Sequence, residues 1–470
     1  MSEQDSTKSG GNVAKFVIMS LLGVFLFMAL LPTTDADGYA IFNIPLGFAI
    51  NWVGLTLNAI EVNGFGLVFL LALIVITVSL VGTILAYTVK PSFIMDNEKL
   101  KNLFLSNPVY FVSKAVGAII AWMVYLGVGP DLIIGWEGGR LMFDLIAGGD
   151  SGSNLMSIFI VVGLAIPILT DFGLMEFLGV MIKKAVRFLF TLPGRSSIDL
   201  LGSWFSSSAA SVIITRDQHE KGYYTGREAA AICVNFTLVS LPFTFVVASR
   251  IDLQGHFPLF YLIICFTAIV LAVIMPRIPP LSWIKDDYLP DVGKQIKEDE
   301  ENNEPLFKQA LTQATARASE STPETVIKSG LSNWLNIFMD LIPVILAWGT
   351  IAIIVEAQTP IFDWIGMPFG LLLNLLQVPY GSDFAAITVV GFVDMFLPAI
   401  LLDAMGAPIQ TSFILGALSI VQIIYLAETG ILILKSKIPL HIGHLAILFI
   451  MRTVFALPII VVLTNLLFNP

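Results

Sequence analysis

Nine apolar runs divide this chain of 470 residues, and most approach the 20 residues that a helix needs to cross a bilayer. Hydrophobic residues make up 56% of the sequence and charged residues only 13%, which is not the composition of a soluble globular domain. In lipid the backbone must satisfy its own polar groups, so such runs fold as helices. The predicted spans cover approximately residues 16–31, 66–87, 108–126, 155–169, 227–248, 257–275, 331–354, 411–434 and 442–467. The sequence therefore predicts an all-α, polytopic membrane protein with about nine spans.

The second half of the chain repeats a pattern found near its middle. Residues 172–275 have a counterpart 186 residues further on, and at this spacing Pro193 and Thr225 fall on Pro379 and Thr411. Each copy contains an amphipathic segment, a short apolar segment interrupted by small or polar residues, a long helix with a break, and an uninterrupted apolar helix. Duplicated units with helices broken at matching positions are typical of secondary transporters, in which the solute binds at the breaks.

The distribution of lysine and arginine predicts the orientation in the membrane, because short cytoplasmic loops retain these residues. Lys8 and Lys15 precede the first span, and the stretch 183–227 after the fourth span is strongly basic. No lysine or arginine occurs over residues 331–434, which carry acids instead. We therefore expect a multi-pass protein of the bacterial inner membrane with a cytoplasmic N-terminus. The first amphipathic segment then lies inside and the second outside, so the two copies form an inverted repeat.

These features divide the chain into four predicted parts. Residues 1–154 are N-terminal scaffold helices, 155–277 the first repeat, 278–330 a cytoplasmic linker and 331–470 the second, inverted repeat. The linker is rich in charged and small polar residues, which predicts a solvated loop with a surface helix over residues 309–321. Regulation by a partner is the alternative role for this linker.

Two short segments are predicted to enter the membrane and return on the same side as re-entrant hairpins. Residues 197–217 are long enough to span once, but basic residues flank both ends, and residues 383–405 are their counterpart. Backbone at membrane depth must be satisfied by protein or line a wet cavity, so a hairpin tip can hold a ligand. For the serine-rich hairpin, the alternative is close packing of helices through small residues. For Asp394 in the second hairpin, the alternative is capping of a half-helix. The candidate binding residues in the hairpins are Ser206, Ser207, Ser208 and Asp394.

The two broken helices carry the other candidates. Pro242 lacks an N–H and frees carbonyls one turn earlier for an ion or a solute. Glu428 stands beside Gly430 in an apolar run, where a carboxylate is by default a functional hypothesis. It would take a proton or a cation, or meet an ammonium or hydroxyl of the solute; the rival role is structural pairing with a neighbouring helix. The candidate binding residues at the breaks are Asn235, Ser240, Gln422, Tyr425, Glu428 and Thr429.

Other functional classes find little support in the sequence. No basic strip with interleaved aromatic residues is present to bind nucleic acid. The two cysteines, Cys233 and Cys265, lie in apolar runs, and the spacing of His441 and His444 alone does not make a metal site. No G-x-S-x-G, H-E-x-x-H or phosphate-binding loop occurs. We therefore expect no enzyme activity, no catalytic residue, no resident metal and no cofactor other than a coupling Na⁺ or H⁺.

The order of segments resembles the Gate, or nucleoside-recognition, domain shared with concentrative nucleoside transporters. Within that group the chain most resembles the YjiH-type bacterial inner-membrane proteins, through residues 170–218, TDFGLMEFLGVMIKKAVRFLFTLPGRSSIDLLGSWFSSSAASVIITRDQ. The resemblance implies that solute is held between the hairpin tips and the helix breaks. It does not imply a nucleoside, since the first hairpin tip of this chain offers only hydroxyls while its acids, Asp199 and Asp217, lie at the hairpin ends.

The sequence thus favours a secondary transporter of a small polar solute, with Glu428 or Asp394 coupling transport to Na⁺ or H⁺. Because Asn235 and Gln422 offer both donors and acceptors, an uncharged or zwitterionic solute fits, whether nucleoside-like, an amino acid or peptide-like. Expected partners are the solute, membrane lipid and either a second copy or a small Gate-type subunit. The alternative function is a membrane scaffold or subunit of a Gate-type complex that transports nothing.

Overall fold

The computed structural model describes residues 3–34, 40–62, 65–105, 108–135, 138–147, 154–190, 192–194, 196–205, 208–290, 292–294 and 305–468. Their regular structure is almost entirely helical, which confirms the predicted all-α membrane fold. Within these described residues, four helices are long and apolar enough to cross a bilayer: Gly11–Met28, Leu67–Thr88, Gln254–Arg277 and Ile442–Phe468. Two bent pairs bring this to six if each pair is one span. The remaining three predicted runs also fall on helices, but each is interrupted.

The helices before the first copy are α1 (Glu3–Met28), α2 (Pro45–Asn58), α3 (Leu67–Thr88), α4 (Ser92–Met95), α5 (Glu98–Phe104), α6 (Pro108–Leu126), α7 (Asp131–Ile134) and α8 (Gly139–Ala147). The first copy contains α9 (Leu155–Thr170), α10 (Leu174–Phe190), α11 (Ser196–Phe205), α12 (Ser208–Glu220), α13 (Gly226–Asn235), α14 (Leu241–Arg250) and α15 (Phe257–Ile274).

The rest of the chain forms α16 (Leu306–Glu320), α17 (Pro323–Asn336), α18 (Ile342–Gln358), α19 (Ile361–Leu375), α20 (Ile387–Val390), α21 (Leu397–Ala404), α22 (Ile409–Val421), α23 (Ile431–Leu434) and α24 (Ile442–Phe468). Short π-helical turns cover Ile337–Leu341 and Leu426–Gly430, and 3-10 turns cover Gln254–His256, Met275–Arg277 and Leu281–Trp283. Two small antiparallel pairs complete the regular structure: β1 (Leu31–Thr34) with β2 (Ala40–Asn43), and β3 (Glu61–Val62) with β4 (Phe65–Gly66).

The chain packs as two compact units. The first contains residues 1–30, 166–326 and 366–470, and the second contains residues 31–165 and 327–365. This grouping by packing is a different partition from the four predicted parts, which follow the repeat and remain a prediction. The two copies of the broken helix and hairpin both lie in the first unit, so their side chains can be compared within one packed body.

In the second unit, both buried hydrogen bonds and close backbone approaches hold the helices together. The ammonium of Lys114 is fully buried and donates to the carbonyl of Leu103 at 3.1 Å, while the Trp348 indole donates to Ser113 at 3.0 Å. Gly117 of α6 lies so near the carbonyl of Pro343 in α18 that a Cβ there would come within 2.2 Å of it. Small residues of this kind let membrane helices approach closely.

The repeat predicted from the sequence is visible in the element boundaries of the first unit. Helix α13 ends at Asn235 and α22 at Val421, which are 186 residues apart, the spacing that relates Pro193 to Pro379. Each copy then continues through a second half-helix to a long apolar helix, α15 or α24. The breaks therefore occur at equivalent positions, while the inversion of one copy relative to the other remains a prediction.

A helix, α16, lies in the predicted linker, close to the expected surface helix. Its face of small residues is buried: Ala314 and Ala318 pack with Phe16 of α1 and Phe177 of α10. Gly173 precedes α10 with a φ of +97°, and a Cβ there would come within 2.3 Å of the Ala314 carbonyl. One face of α16 thus packs within the first unit, so this part of the linker is not solvated all round.

Candidate functional site

The first broken helix stops at Asn235 and resumes at Leu241. Pro242 lies in the first turn of α14, where its missing N–H costs no helical hydrogen bond. Residues 226–242 are almost entirely excluded from solvent, and Asn235 and Thr237 are both 0% exposed. The Asn235 amide donates back to the carbonyl of Ala231 at 3.0 Å, and the Thr237 hydroxyl donates to the carbonyl of Cys233 at 2.7 Å. Carbonyls at the end of α13 beyond these residues have no helical donor and need another partner.

The second broken helix stops at Val421 and resumes through the π-helical turn Leu426–Gly430. Between them Ile423 has a φ of +65°, a left-handed conformation that a β-branched residue rarely adopts. The Tyr425 hydroxyl accepts from the Ile423 N–H at 3.2 Å and donates toward the Ser419 and Ile420 carbonyls at 2.8 and 2.9 Å. The Thr429 hydroxyl donates to the Ile423 carbonyl at 3.0 Å. These two side chains hold the strained backbone of the break in place.

One buried cation links both breaks. Arg452 of α24 is 0% exposed. Its Nε and Nη2 donate to the carbonyl of Val421 at 3.0 and 2.7 Å, and its Nη1 donates to the carbonyl of Val234 at 2.9 Å and to Oδ1 of Asn235 at 2.8 Å. Within the described part of the chain, no carboxylate forms an ion pair with it. Arg452 therefore satisfies one carbonyl at each of the two helix ends, those of Val234 and Val421.

The electrostatics of this arrangement are nearly balanced. A helix C-terminus carries the equivalent of roughly −0.5 elementary charge, and two such ends converge on the single positive charge of Arg452. Burial of an unpaired charge is normally costly, and here oriented carbonyls and helix ends take the place of a carboxylate. The candidates predicted from the sequence did not include Arg452, although a lone arginine inside the apolar run 442–467 was the signal that could have found it.

Gln422, which bonds to the residue after Arg452, connects the second break to the second hairpin. Gln422 is 0% exposed, and its Nε2 donates to Thr453 Oγ1 at 2.8 Å and to the carbonyl of Thr388 in α20 at 2.7 Å. Its Oε1 is buried without a hydrogen-bond partner among the described residues and faces Gly391, where a Cβ would come within 2.4 Å of it. Asn235 and Gln422, two predicted candidates, are thus brought to consecutive residues of one helix.

The other predicted residues take several positions. Ser208 begins α12 and is buried, and Ser240 precedes α14 and is 8% exposed. Oδ1 of Asp394 accepts from the Phe396 N–H at 2.8 Å, in a local turn just before α21. Ser206, Ser207 and the side chain of Glu428 lie outside the described residues. The hydroxyls of Tyr425 and Thr429 bond the backbone of the break. Contact with solute stays a prediction for all ten candidate binding residues.

An ion pair ties the end of the first broken helix to the end of the second hairpin. Arg250 of α14 pairs with Asp403 of α21, and their side chains are only 13% and 29% exposed. Asp252 follows in the connecting loop; desolvation and the Asp403 carboxylate raise the pKa of its carboxyl, although the residue stays exposed. Arg250 thus interacts electrostatically with both carboxylates, and its ion pair with Asp403 connects the hairpin to α14.

Removing this pair should cost more than removing its counterpart in the other copy. Asp403→Asn should lower the free energy of unfolding by about 1–2 kcal/mol, between the values for exposed and buried pairs. The matched control is Asp217→Asn, since Asp217 is equivalent in the repeat and pairs with Arg216 at 2.8 Å with side chains 37% and 45% exposed. Chemical denaturation in detergent at low and high salt would measure both. Equal losses would show that the Arg250 pair has no special role.

Comparison with known proteins places the chain in a family. The profile of the Gate family, described as nucleoside recognition, matches residues 153–253, which contain the first hairpin and the first broken helix. An uncharacterized protein of Alkalihalophilus pseudofirmus, BpOF4_10220, is 39% identical over 99% of this chain and 97% of its own length. The chain belongs to the Gate-domain family of membrane proteins. The narrower resemblance to YjiH-type proteins stays a prediction.

Several solved structures are distantly similar to this Gate-family chain. CNTnw in an inward-facing, substrate-bound state aligns with a TM-score of 0.42 and 13% identity, covering 97% of this chain and 99% of CNTnw. A CNTnw mutant in an outward-facing state also gives 0.42, with 14% identity over 90% of this chain and 99% of CNTnw. The YdaH transporter of Alcanivorax borkumensis gives 0.20 with 11% identity over 98% of each chain. At these TM-scores the likenesses support no conclusion about the Gate-family site.

Proposed function

We propose that this Gate-family protein is a secondary transporter that moves a small polar solute across the bacterial inner membrane. The observation that carries the proposal is the pair of broken helices, which stop at equivalent residues and gather Asn235 and Gln422 on Arg452 and Thr453 of one helix. Buried polar groups are expensive, and broken helices at matching positions are the usual construction of a transporter site. The match of the nucleoside-recognition profile to the first copy supports the same reading.

The proposed solute is uncharged or zwitterionic and nucleoside-like, an amino acid or peptide-like. Asn and Gln side chains offer both donors and acceptors, and the buried Oε1 of Gln422 lacks a donor among the described residues. Asp394 or Glu428 would couple transport to an ion or a proton. In this proposal the N-terminus is cytoplasmic and the protein is not an enzyme, and it works alone, as a homo-oligomer or with a small Gate-type subunit.

A scaffold that transports nothing is the second candidate, and one observation favours it. The hydrogen bonds described above for Tyr425, Thr429 and Arg452 all satisfy groups of the protein itself. Polar residues with such bonds can stabilise a broken helix without contacting a solute.

Thermal unfolding of the purified protein would separate the two candidates. The protein in detergent would be screened against nucleosides, amino acids, dipeptides and organic acids, with and without Na⁺. A solute at 100 times its dissociation constant should stabilise the folded state by about 2.7 kcal/mol, which raises the unfolding temperature. We expect one class to do so, with the response lost or changed in its ion dependence in Glu428→Gln. Silence across the panel from folded protein would favour the scaffold.

A further inference from the structure

We infer that Arg452 is a built-in cation, which fills the position between the two helix breaks that a mobile coupling cation would otherwise occupy. The inference concerns which charge these oxygens hold, so it can stand or fail whether or not the protein transports a solute. It narrows the proposed coupling, because a sodium ion would then have no place at these oxygens. Any coupling would fall to a proton or to an ion held elsewhere.

The guanidinium of Arg452 is surrounded by neutral oxygen atoms. Its three acceptors are the carbonyls of Val234 and Val421 and the amide oxygen of Asn235. Neutral carbonyl and amide oxygens are ligands of hard cations, and unwound carbonyls at the ends of half-helices bind the coupling ion in transporters with broken helices. The two copies supply these oxygens from equivalent helix ends: Asn235 and Val421 are the last residues of α13 and α22, and the Val234 carbonyl lies one residue before the end of α13.

Arg452 hydrogen-bonds to every one of these three oxygens. Four N–H···O contacts of 2.7 to 3.0 Å connect the guanidinium to them, and the side chain is 0% exposed. Val421 receives two of these contacts, from Nε and Nη2, in the forked geometry that arginine uses with oxygen acceptors. A second cation at the same oxygens would have to displace the guanidinium or lie beside its charge in a dry interior. The position is therefore filled.

The surroundings of the guanidinium favour a fixed cation over a receptor for anions. A guanidinium has five N–H groups, and one remains on Nη2 after the four contacts above. An anion at that N–H would approach the C-termini of two half-helices, each of which repels negative charge. The roughly −0.5 charge at each end already balances the charge of Arg452. Arg452 is therefore suited to binding the protein's own oxygens and not an external anion.

Chemical rescue would test the inference directly. We expect Arg452→Ala to unfold at a lower temperature than the parent, and low-millimolar guanidinium chloride to raise its midpoint by refilling the position. Under the same conditions the parent should gain nothing from guanidinium, and urea, which is similar in shape but neutral, should rescue neither protein. Replacing choline by sodium should not stabilise the parent through these oxygens, so any effect of sodium on the midpoint should be the same in the parent and in Asn235→Leu.

Three results would overturn the inference. One is a folded Arg452→Ala whose midpoint responds to none of guanidinium, ammonium, sodium or potassium. Another is sodium stabilisation of the parent that disappears in Asn235→Leu, which would place the metal at the same oxygens. The third is stabilisation of the parent by acetate or phosphate that depends on Arg452, which would make it an anion receptor.

A second pair of variants covers the case in which Arg452→Ala does not fold. Arg452→Lys keeps the charge, and Arg452→Met keeps similar length without charge. We expect the lysine variant to unfold at the higher temperature. A methionine variant equal to or more stable than the lysine variant would show that no cation is needed. The solute screen is a separate measurement, so failure of the transporter proposal would not be mistaken for failure of this one.

Discussion

Arg452→Met should lower the free energy of unfolding by about 3–5 kcal/mol, because it leaves several buried acceptors without donors. Methionine fills much of the same space, so the loss would come chiefly from three acceptors left without donors in a dry interior: the carbonyls of Val234 and Val421 and Oδ1 of Asn235. Each unsatisfied buried group costs about 1–3 kcal/mol. Denaturant unfolding of the purified protein, followed by tryptophan fluorescence, would measure the change.

Arg277→Met is the control for this prediction. Arg277 is exposed in the turn that follows α15, and it also donates to backbone carbonyls, those of Val273 and Leu189. Its replacement should change stability by about 0.5 kcal/mol, as at most surface sites. A double-mutant cycle with Asn235→Leu should show coupling of about 0.5–3 kcal/mol, since the two side chains share a hydrogen bond. If Arg452→Met were no worse than the control, water or another group would have to satisfy the breaks.

The arrangement around Arg452 explains which parts of the site could be predicted from the sequence. The breaks were predictable because Pro242 and Gly430 interrupt apolar runs at related positions, and a repeat marks them twice. The contacts of Arg452 were not. Its acceptors are mostly backbone carbonyls, one of them 218 residues away, and a carbonyl carries no side-chain identity that a sequence could show.

Tyr425 and Thr429 show the same limit in another form. Their polarity within an apolar run identified them as important, but polarity does not tell whether a hydroxyl faces a solute or the protein's own backbone. The structure supplies that direction, through bonds to Ser419, Ile420 and Ile423. Composition thus located the site, and tertiary packing decided which neighbours its side chains contact.

Length also limited the prediction of the fold. Helix α2 has 14 residues, fewer than a span requires, so a search for runs of about 20 apolar residues passed over it. The paired strands around it are four residues or fewer and have no alternating pattern long enough to recognise. Long apolar helices were found because they meet both conditions at once.

Gly366→Ala should disturb the second hairpin, which carries Thr388 and Asp394. Gly366 of α19 packs directly against the hairpin backbone, and a Cβ there would come within 2.7 Å of the Ala386 nitrogen and 2.8 Å of the Ala385 carbonyl carbon. Backbone cannot rotate away as a side chain can, so the hairpin itself must shift. We expect a loss of about 2–3 kcal/mol in the free energy of unfolding, in the range for overpacking. Displacement of Thr388 should also weaken its bond to Gln422.

Gly370→Ala is the matched control, because it adds the same methyl one turn further along α19. A Cβ at Gly370 would lie 3.3 Å from the Ala385 Cβ and 3.7 Å from the Ser382 Cα, which small movements can accommodate. Its effect should stay within about 1 kcal/mol, since alanine also favours the helix over glycine. Unfolding and solute-dependent stabilisation would be measured for both variants. Equal behaviour would mean that the hairpin moves away from α19 at little cost, and a hairpin so loosely held could open as a gate without help from solute binding.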